Sequence, residues 1–194
     1  MAVPVVVKIG GSLGDHIDPI IAVLRHSGRP ALIVPGGGIC ARFIRELGMD
    51  GDAAHWMAVC AMEQFGWFIS AKGVTPVREL HAPRGLVVLL PYLPLVQADP
   101  LPHTWQVTSD TIAAWIAFSL GLDLIILKSV DGINRDGVLQ ARLSDVITTD
   151  VVDSCFLPYV LSNKVHAVII NGRHPRRLEV CLRGNRVTGT TIGF

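Results

Sequence analysis

The sequence predicts one alternating α/β domain built on parallel strands, and three observations lead there. Short apolar runs rich in β-branched residues recur at 3–7, 31–34, 124–127 and 167–170, the pattern of strands buried on both faces. Stretches with helical spacing separate them. Each strand runs into a turn marked by glycine, lysine or asparagine, and the carboxyl ends of strands are where open α/β sheets bind ligands.

The first run, Val3-Pro4-Val5-Val6-Val7, ends at Lys8, and Gly10-Gly11-Ser12 come soon after. Without side chains, the two glycines let the backbone approach a ligand and aim N–H groups at it, as phosphate requires. A lysine beside them suits a phosphoryl group whose charge shifts in transfer, although a strand ending in a tight turn with a solvated lysine would look the same. Ile17, Ile20, Ile21 and Leu24 mark a helix beginning after Asp15 or Asp18, with its positive end near that turn. Strand 31–34 enters Pro35-Gly36-Gly37-Gly38. Ile39, Phe43, Ile44 and Leu47 then mark a helix that stops at Gly48.

A long helical stretch runs from Asp52 to about Ser70, a strand covers 86–90, and 91–102 is a proline-rich connection. Residues 103–110 lead into an apolar helix over 111–120. Strand 124–127 ends in Lys128-Ser129-Val130-Asp131-Gly132, and strand 167–170 ends at Asn171-Gly172. A short helix over 176–182 and a strand near 188–192 close the chain. No repeat, low-complexity segment or linker divides it, so 1–194 is expected to form a single domain.

Half of the residues are apolar and 17% are charged, so a large core is expected, with apolar surface left over that favours self-association into a homo-oligomer. The apolar helices after Asp52 and Thr111 support this. With a net charge of +1 and no basic block, nothing points to a nucleic-acid surface. The apolar runs at 86–96 and 111–122 are too short to span a membrane, and the N-terminus does not read as a secretory signal. Cys40, Cys60, Cys155 and Cys181 contain no Cys-x-x-Cys pair. They are expected to be reduced, mostly buried thiols of a cytoplasmic protein, not metal ligands.

Two phosphate-binding classes are excluded. Gly36-Gly37-Gly38-Ile39-Cys40-Ala41 fits G-x-G-x-x-A, but a dinucleotide fold also needs a strand ending in an acid about twenty residues on. Asp50 and Asp52 precede a helical pattern instead. The P-loop pattern G-x-x-x-x-G-K-[ST] occurs nowhere. Lys8 and Lys128 remain, each at the carboxyl end of its own strand. Two such cations, with an acid to position them, would clamp a transferring phosphoryl group.

Lys8-Ile9-Gly10-Gly11-Ser12, Pro35-Gly36-Gly37-Gly38, Thr108-Ser109-Asp110, Lys128-Ser129-Val130-Asp131-Gly132 and Gly189-Thr190-Thr191-Ile192 together resemble the amino acid kinase superfamily, in its motif order and over nearly the whole chain. That group includes acetylglutamate, carbamate, uridylate and isopentenyl phosphate kinases. The resemblance implies a three-layer αβα sandwich around a mainly parallel sheet and ATP-dependent phosphoryl transfer. Lys8 would touch the moving group, with Gly10, Gly11 and Ser12 cradling phosphate and Asp110 orienting Lys8 and Lys128. Ser129, Asp131 and Gly132 would meet ATP, and Gly36, Gly37, Gly38, Thr108 and Ser109 the acceptor. Magnesium would be held mainly by ATP phosphates and water.

Asp52-Ala53-Ala54-His55-Trp56, the segment 103–110 and Ile170-Asn171-Gly172-Arg173-His174-Pro175 look like the small archaeal branch of methanofuran biosynthesis, which makes a furan-methyl diphosphate from the monophosphate. Asp52 would then pair with an aminomethyl group, or simply cap its helix. His103 and Trp105 would hold the ring, or be structural, and Trp56 is read as a partly buried helix residue. Arg42 and Arg45 fit a solvated helix face. Larger relatives carry a Gly-Gly-Met segment with a downstream catalytic lysine. Here Lys164 stands after a stretch without those glycines, and Lys128 is the better second cation.

Overall fold

The first apolar run forms strand β1 (Val5–Ile9), buried at every position. The structure, a computed structural model, describes residues 2–193. After a 3-10 segment (Gly11–His16) come α1 (Ile17–Ser27), β2 (Ala31–Pro35), α2 (Gly38–Glu46) and α3 (Gly51–Ser70). Next are β3 (Thr75–Val77), β4 (Leu86–Leu89), α4 (Tyr92–Ala98), α5 (Ser109–Leu120) and β5 (Asp123–Lys128). The rest comprises β6 (Asn134–Arg135), β7 (Val138–Leu139), β8 (Arg142–Leu143), α6 (Phe156–Ser162), β9 (Ala167–Asn171), α7 (Pro175–Leu182) and β10 (Gly189–Ile192).

The main sheet has the order β3-β4-β2-β1-β5-β9-β10-β8. Its pairs are parallel except β9–β10, which is antiparallel. Because side chains alternate along a strand, each central strand feeds two cores. Val6, Leu32, Val34, Leu124 and Ile126 face Ile112 and Ile116 of α5, Phe156 of α6, and Val59 and Met62 of α3. Val5, Val7, Ile33, Ile125 and Leu127 face Ile20, Ile21 and Leu24 of α1 and Leu178 of α7. This is the expected three-layer α/β arrangement. Through α1 the chain leaves β1 toward β2, while β5 pairs on the other side, so the sheet order switches between β1 and β5 and opens a crevice at their carboxyl ends.

Several elements differ from expectation. β1 runs on to Ile9, so Lys8 lies inside the strand and does not end it. The proline-rich connection contains α4, with Pro91 at its N-cap and Pro94 in its first turn, where a missing N–H forfeits no intrahelical bond. Of the four apolar residues that mark α2 in the sequence, Ile39, Phe43 and Leu47 are exposed and Ile44 is buried. The apolar character of α5 is explained by the core, since Ile112, Ala113, Ala114, Ile116 and Ala117 are all buried. Exposed apolar surface gathers instead on α2, α3 and α4, at Ile39, Phe43, Met57, Tyr92 and Leu93. All four cysteines are free, but only Cys181 is buried, and Cys60 is exposed. No helix among the described residues is long and apolar enough to cross a membrane.

Candidate active site

Strand alternation puts Lys8 on the face of Val6 and Lys128 on the face of Leu124 and Ile126, toward α5. Asp110, the second residue of α5, sits between them. Its Oδ2 accepts a hydrogen bond from Lys128 Nζ at 2.6 Å. The Lys8 ammonium lies 2.7 Å from Oδ1 but is not aligned as a hydrogen bond, and Oδ1 receives none; that contact is an ion pair. One buried carboxylate thus holds two ammonium groups. The cluster keeps a net positive charge where β1 and β5 end, which suits a group whose negative charge shifts during transfer.

Burial pushes the Lys8 ammonium down, Asp110 pulls it back and Lys128 opposes it, leaving it at about 8 against an ordinary 10.5. For Asp110, burial pushes the carboxyl up, but the two lysines outweigh it and hold the group below the usual range.

The N-terminus of α5 is fixed by a residue the sequence did not flag. Asp153, in the loop before α6, accepts from Thr108 N at 3.0 Å, Thr108 Oγ1 at 2.8 Å and Thr111 N at 3.1 Å, and also from Thr111 Oγ1. Thr108 occupies the N-cap but makes no cap bond with its own side chain; Asp153 supplies that acceptor from elsewhere in the chain. Burial raises the Asp153 carboxyl, and the charge of Asp110 adds to the effect against the threonine hydrogen bonds. The only local signal is an acid at the end of Val151-Val152-Asp153, and it does not reveal partners more than forty residues away.

The glycine turns are packed on one another. A Cβ on Gly11 would fall 2.1 Å from Gly38 Cα, so only glycine fits there without moving the second turn. The Gly10 N–H donates to Leu127 O at 3.2 Å and the Gly36 N–H to Ile9 O at 2.9 Å. These amides tie the turns to the sheet, a correction to the expectation that Gly10 offers its N–H to phosphate. Gly11 N–H has no backbone acceptor among the described residues. The 3-10 segment separates this turn from α1, which starts at Ile17, where the sequence placed it. Ser12 O accepts from Arg173 Nη2.

Beyond β5, Ser129 is exposed. Asp131 accepts from Asn171 Nδ2 at 2.9 Å and pairs with Arg177, so its carboxylate is engaged by protein groups. Gly132 lies against β10, where a Cβ would come 2.6 Å from Thr190 Oγ1. That hydroxyl also accepts from Ile133 N, and the turn is thereby fastened to the sheet. Lys164 is exposed and lies between α6 and β9, at the amino end of the strands. Lys8 and Lys128 lie at the carboxyl end, so the structure does not bring Lys164 to them.

A cleft of about 270 Å³ opens at the start of α5, lined by Ser109, the neighbour of Asp110 in the chain, but not by Asp110, Lys8 or Lys128 themselves. Gly37 and Gly38 line it from α2, Thr108 and Ser109 from the start of α5, and Trp105, His55 and Asp50 from its outer wall. Arg42 and Arg45, read from sequence as a solvated face, border this cleft. The Arg45 guanidinium lies 4.5 Å from the Trp105 ring centre, and Trp105 Nε1 donates to Met49 O at 2.9 Å. Gly36, Asp52 and His103 do not line the cleft. Asp52 is 86% exposed and bonded to His103, so the acid facing the cleft is Asp50. Trp56 packs against the core from α3.

In motif order the chain resembles the amino acid kinase superfamily, and its fold is that of solved kinases. No protein-family model matches it. Among curated proteins it is similar to the [5-(aminomethyl)furan-3-yl]methyl phosphate kinase of Methanocaldococcus jannaschii, with 29% identity over 210 aligned residues, 96% of this chain and 96% of that protein. Among solved structures, uridylate kinase from Archaeoglobus fulgidus matches with a TM-score of 0.70 at 20% identity, over 98% of this chain and 100% of that one. UMP kinase from Bacillus anthracis matches with a TM-score of 0.73 at 17% identity, over 98% and 95%. An isopentenyl phosphate kinase matches with a TM-score of 0.68 at 16% identity, over 97% and 100%. These structural likenesses establish the fold.

Proposed function

We propose that this protein transfers the γ-phosphoryl group of ATP to a small phosphate monoester, and that the acceptor is [5-(aminomethyl)furan-3-yl]methyl phosphate, giving its diphosphate. The observation that carries the reading is Asp110 bridging Lys8 and Lys128, one residue on from Ser109, which lines a cleft that holds both guanidinium groups and aromatic rings. An oxygen of the acceptor phosphate attacks the γ-phosphorus, the bond to the β–γ bridging oxygen breaks, and ADP leaves with that electron pair. The attacking oxygen is already ionised, so no general base is required. Lys8 stabilises the moving group and Lys128 the donor side, both held by Asp110. Arg42 and Arg45 suit the acceptor's phosphate, and Trp105 and His55 its ring.

Magnesium accompanies ATP in this reading. Both oxygens of Asp110 face lysines and Asp131 is engaged by Arg177 and Asn171. Among the described residues no cluster of three or more His, Cys, Asp or Glu side chains is arranged for a metal. With those carboxylates engaged, an ion carried by nucleotide and water oxygens suits this reading. A cytoplasmic setting agrees with the use of ATP, and the apolar edge of α2, α3 and α4 suits self-association into a homo-oligomer.

The test is incubation with ATP, magnesium and the furan phosphate, with the diphosphate sought by mass spectrometry. Product that disappears with Lys8→Ala supports the reading. Transfer to uridylate, isopentenyl phosphate or acetylglutamate, but not to the furan phosphate, would overturn the acceptor and keep the kinase. ATP binding without transfer to any acceptor would leave a nucleotide-binding protein on the same fold.

A further inference from the structure

His55 reaches the acceptor cleft from α3, and the His103 ring covers its back. The two rings are stacked, with centres 4.1 Å apart and planes 17° apart. His103 Nδ1 lies 2.7 Å from Asp52 Oδ1 and Nε2 lies 2.8 Å from Asp99 Oδ1. An ionised carboxylate only accepts hydrogen bonds, so both ring nitrogens must carry hydrogen and His103 is an imidazolium. Trp56 closes another side, its ring centre 5.0 Å from that of His103.

A proton on His55 would place a second cation directly on the first. Burial, and then the His103 charge, hold the His55 imidazole below its ordinary value, against a smaller pull from Asp99 and Asp52. The charged groups around it come from four elements. They are His103 in the segment before α5, Asp50 and Asp52 at the start of α3, Asp99 at the end of α4, and Arg42 and Arg45 of α2 on the cleft. One imidazolium against two carboxylates leaves the wall behind His55 negative. A neutral His55 therefore offers a flat face and a lone pair, with negative charge behind it and Asp50 beside it. That environment fits an ammonium arm on a planar ring.

We propose that His55 selects the amine arm of the acceptor, and that His103, clamped between Asp52 and Asp99, keeps His55 in the neutral form that this selection needs. The amine itself rests on the acceptor proposed above; the clamp does not. A protonated His55 would lose the lone pair and repel the ammonium, so acceptor binding weakens as pH falls through the His55 midpoint.

Two measurements test this without turnover. The first is an NMR titration of the His55 ring in the ligand-free protein, in wild type and in His103→Asn and His103→Gln. The midpoint is expected below that of an ordinary histidine and should rise in both folded variants; a midpoint that stays put in both overturns the clamp. The second is calorimetric binding of the amine-bearing furan phosphate and of its 5-methyl analogue. Wild type should prefer the amine by about tenfold or more, the scale of a hydrogen bond to a charged group, and His55→Ala should lose most of that preference. A preference that survives in His55→Ala, or no binding of either compound, overturns the selection. Preferential binding of the amine with no diphosphate formed would overturn the kinase reading while upholding this one.

Discussion

Raising the pH should relieve a folding penalty carried by Lys8 and lower activity at the same time. The ammonium is 3% exposed and its pKa falls from 10.5 to about 8 on folding. That gap corresponds to about 3 kcal/mol of penalty for holding the charge in the folded state. The unfolded chain keeps this proton up to 10.5 and the folded chain releases it near 8. Between those values the unfolded state binds more protons at this site, so the Lys8 contribution to stability rises with pH; below them the whole penalty is present. Urea melts at about pH 7.5 and about pH 10 should show the stability difference between wild type and Lys8→Met changing in favour of wild type by about 2 kcal/mol. The Met variant cancels the titration of other groups. Over the same range kcat/KM for ATP should fall as the ammonium is lost. The limb in kcat should lie higher, because bound phosphates favour the charged form. A difference between the two proteins that stays constant, or a flat kcat/KM well above pH 8, would mean that Asp110 retains the proton more firmly than burial expels it.

Three further outcomes are expected. Lys8→Ala should lower turnover by about a hundredfold or more, the scale of losing one transition-state donor; turnover within a few-fold of wild type would remove Lys8 from the reaction. Asp153→Ala should lower the stability in urea melts by about 2 to 4 kcal/mol, since a helix cap and charge-assisted bonds are lost together. Asp153→Asn should restore about half of that, and identical losses in both variants would contradict the cap. Gly11→Ala should destabilise by about 1 to 3 kcal/mol because of the contact with Gly38, and a neutral result in the same melts would show that the two turns yield freely.

The central strands and both lysines were legible because their signals are local: an apolar run, a cation, a glycine turn. Period two along β1 and β5 even decides which face Lys8 and Lys128 share. The helix α4 was hidden because prolines in a first turn look like loop punctuation, and Pro158 at the start of α6 acts in the same way. The strand β3 is a short edge strand containing Pro76, a residue that edges tolerate. At the site, Asp110 could be read from its place ahead of an apolar helix, whereas Asp153 could not, since only folding brings it to Thr108 and Thr111. Asp52 and Asp50 are both acids at the start of one helix, and spacing alone does not say which faces the cleft. The structure separates them because His103 draws Asp52 away.

The contact between Gly11 and Gly38 bears on how the two reactants would be brought together. Strands β1 and β2 are hydrogen-bonded neighbours, so their turns leave the sheet about 5 Å apart and already touch. There is no gap between these two loops for a hinge to close. On the reading proposed above, the distance between phosphoryl donor and acceptor is then set by the spacing of adjacent strands, a length that hardly varies as a protein breathes. Any motion that admits or releases substrate falls to the outer wall, where His55 and Trp105 stand, while the reaction coordinate itself is measured against the sheet.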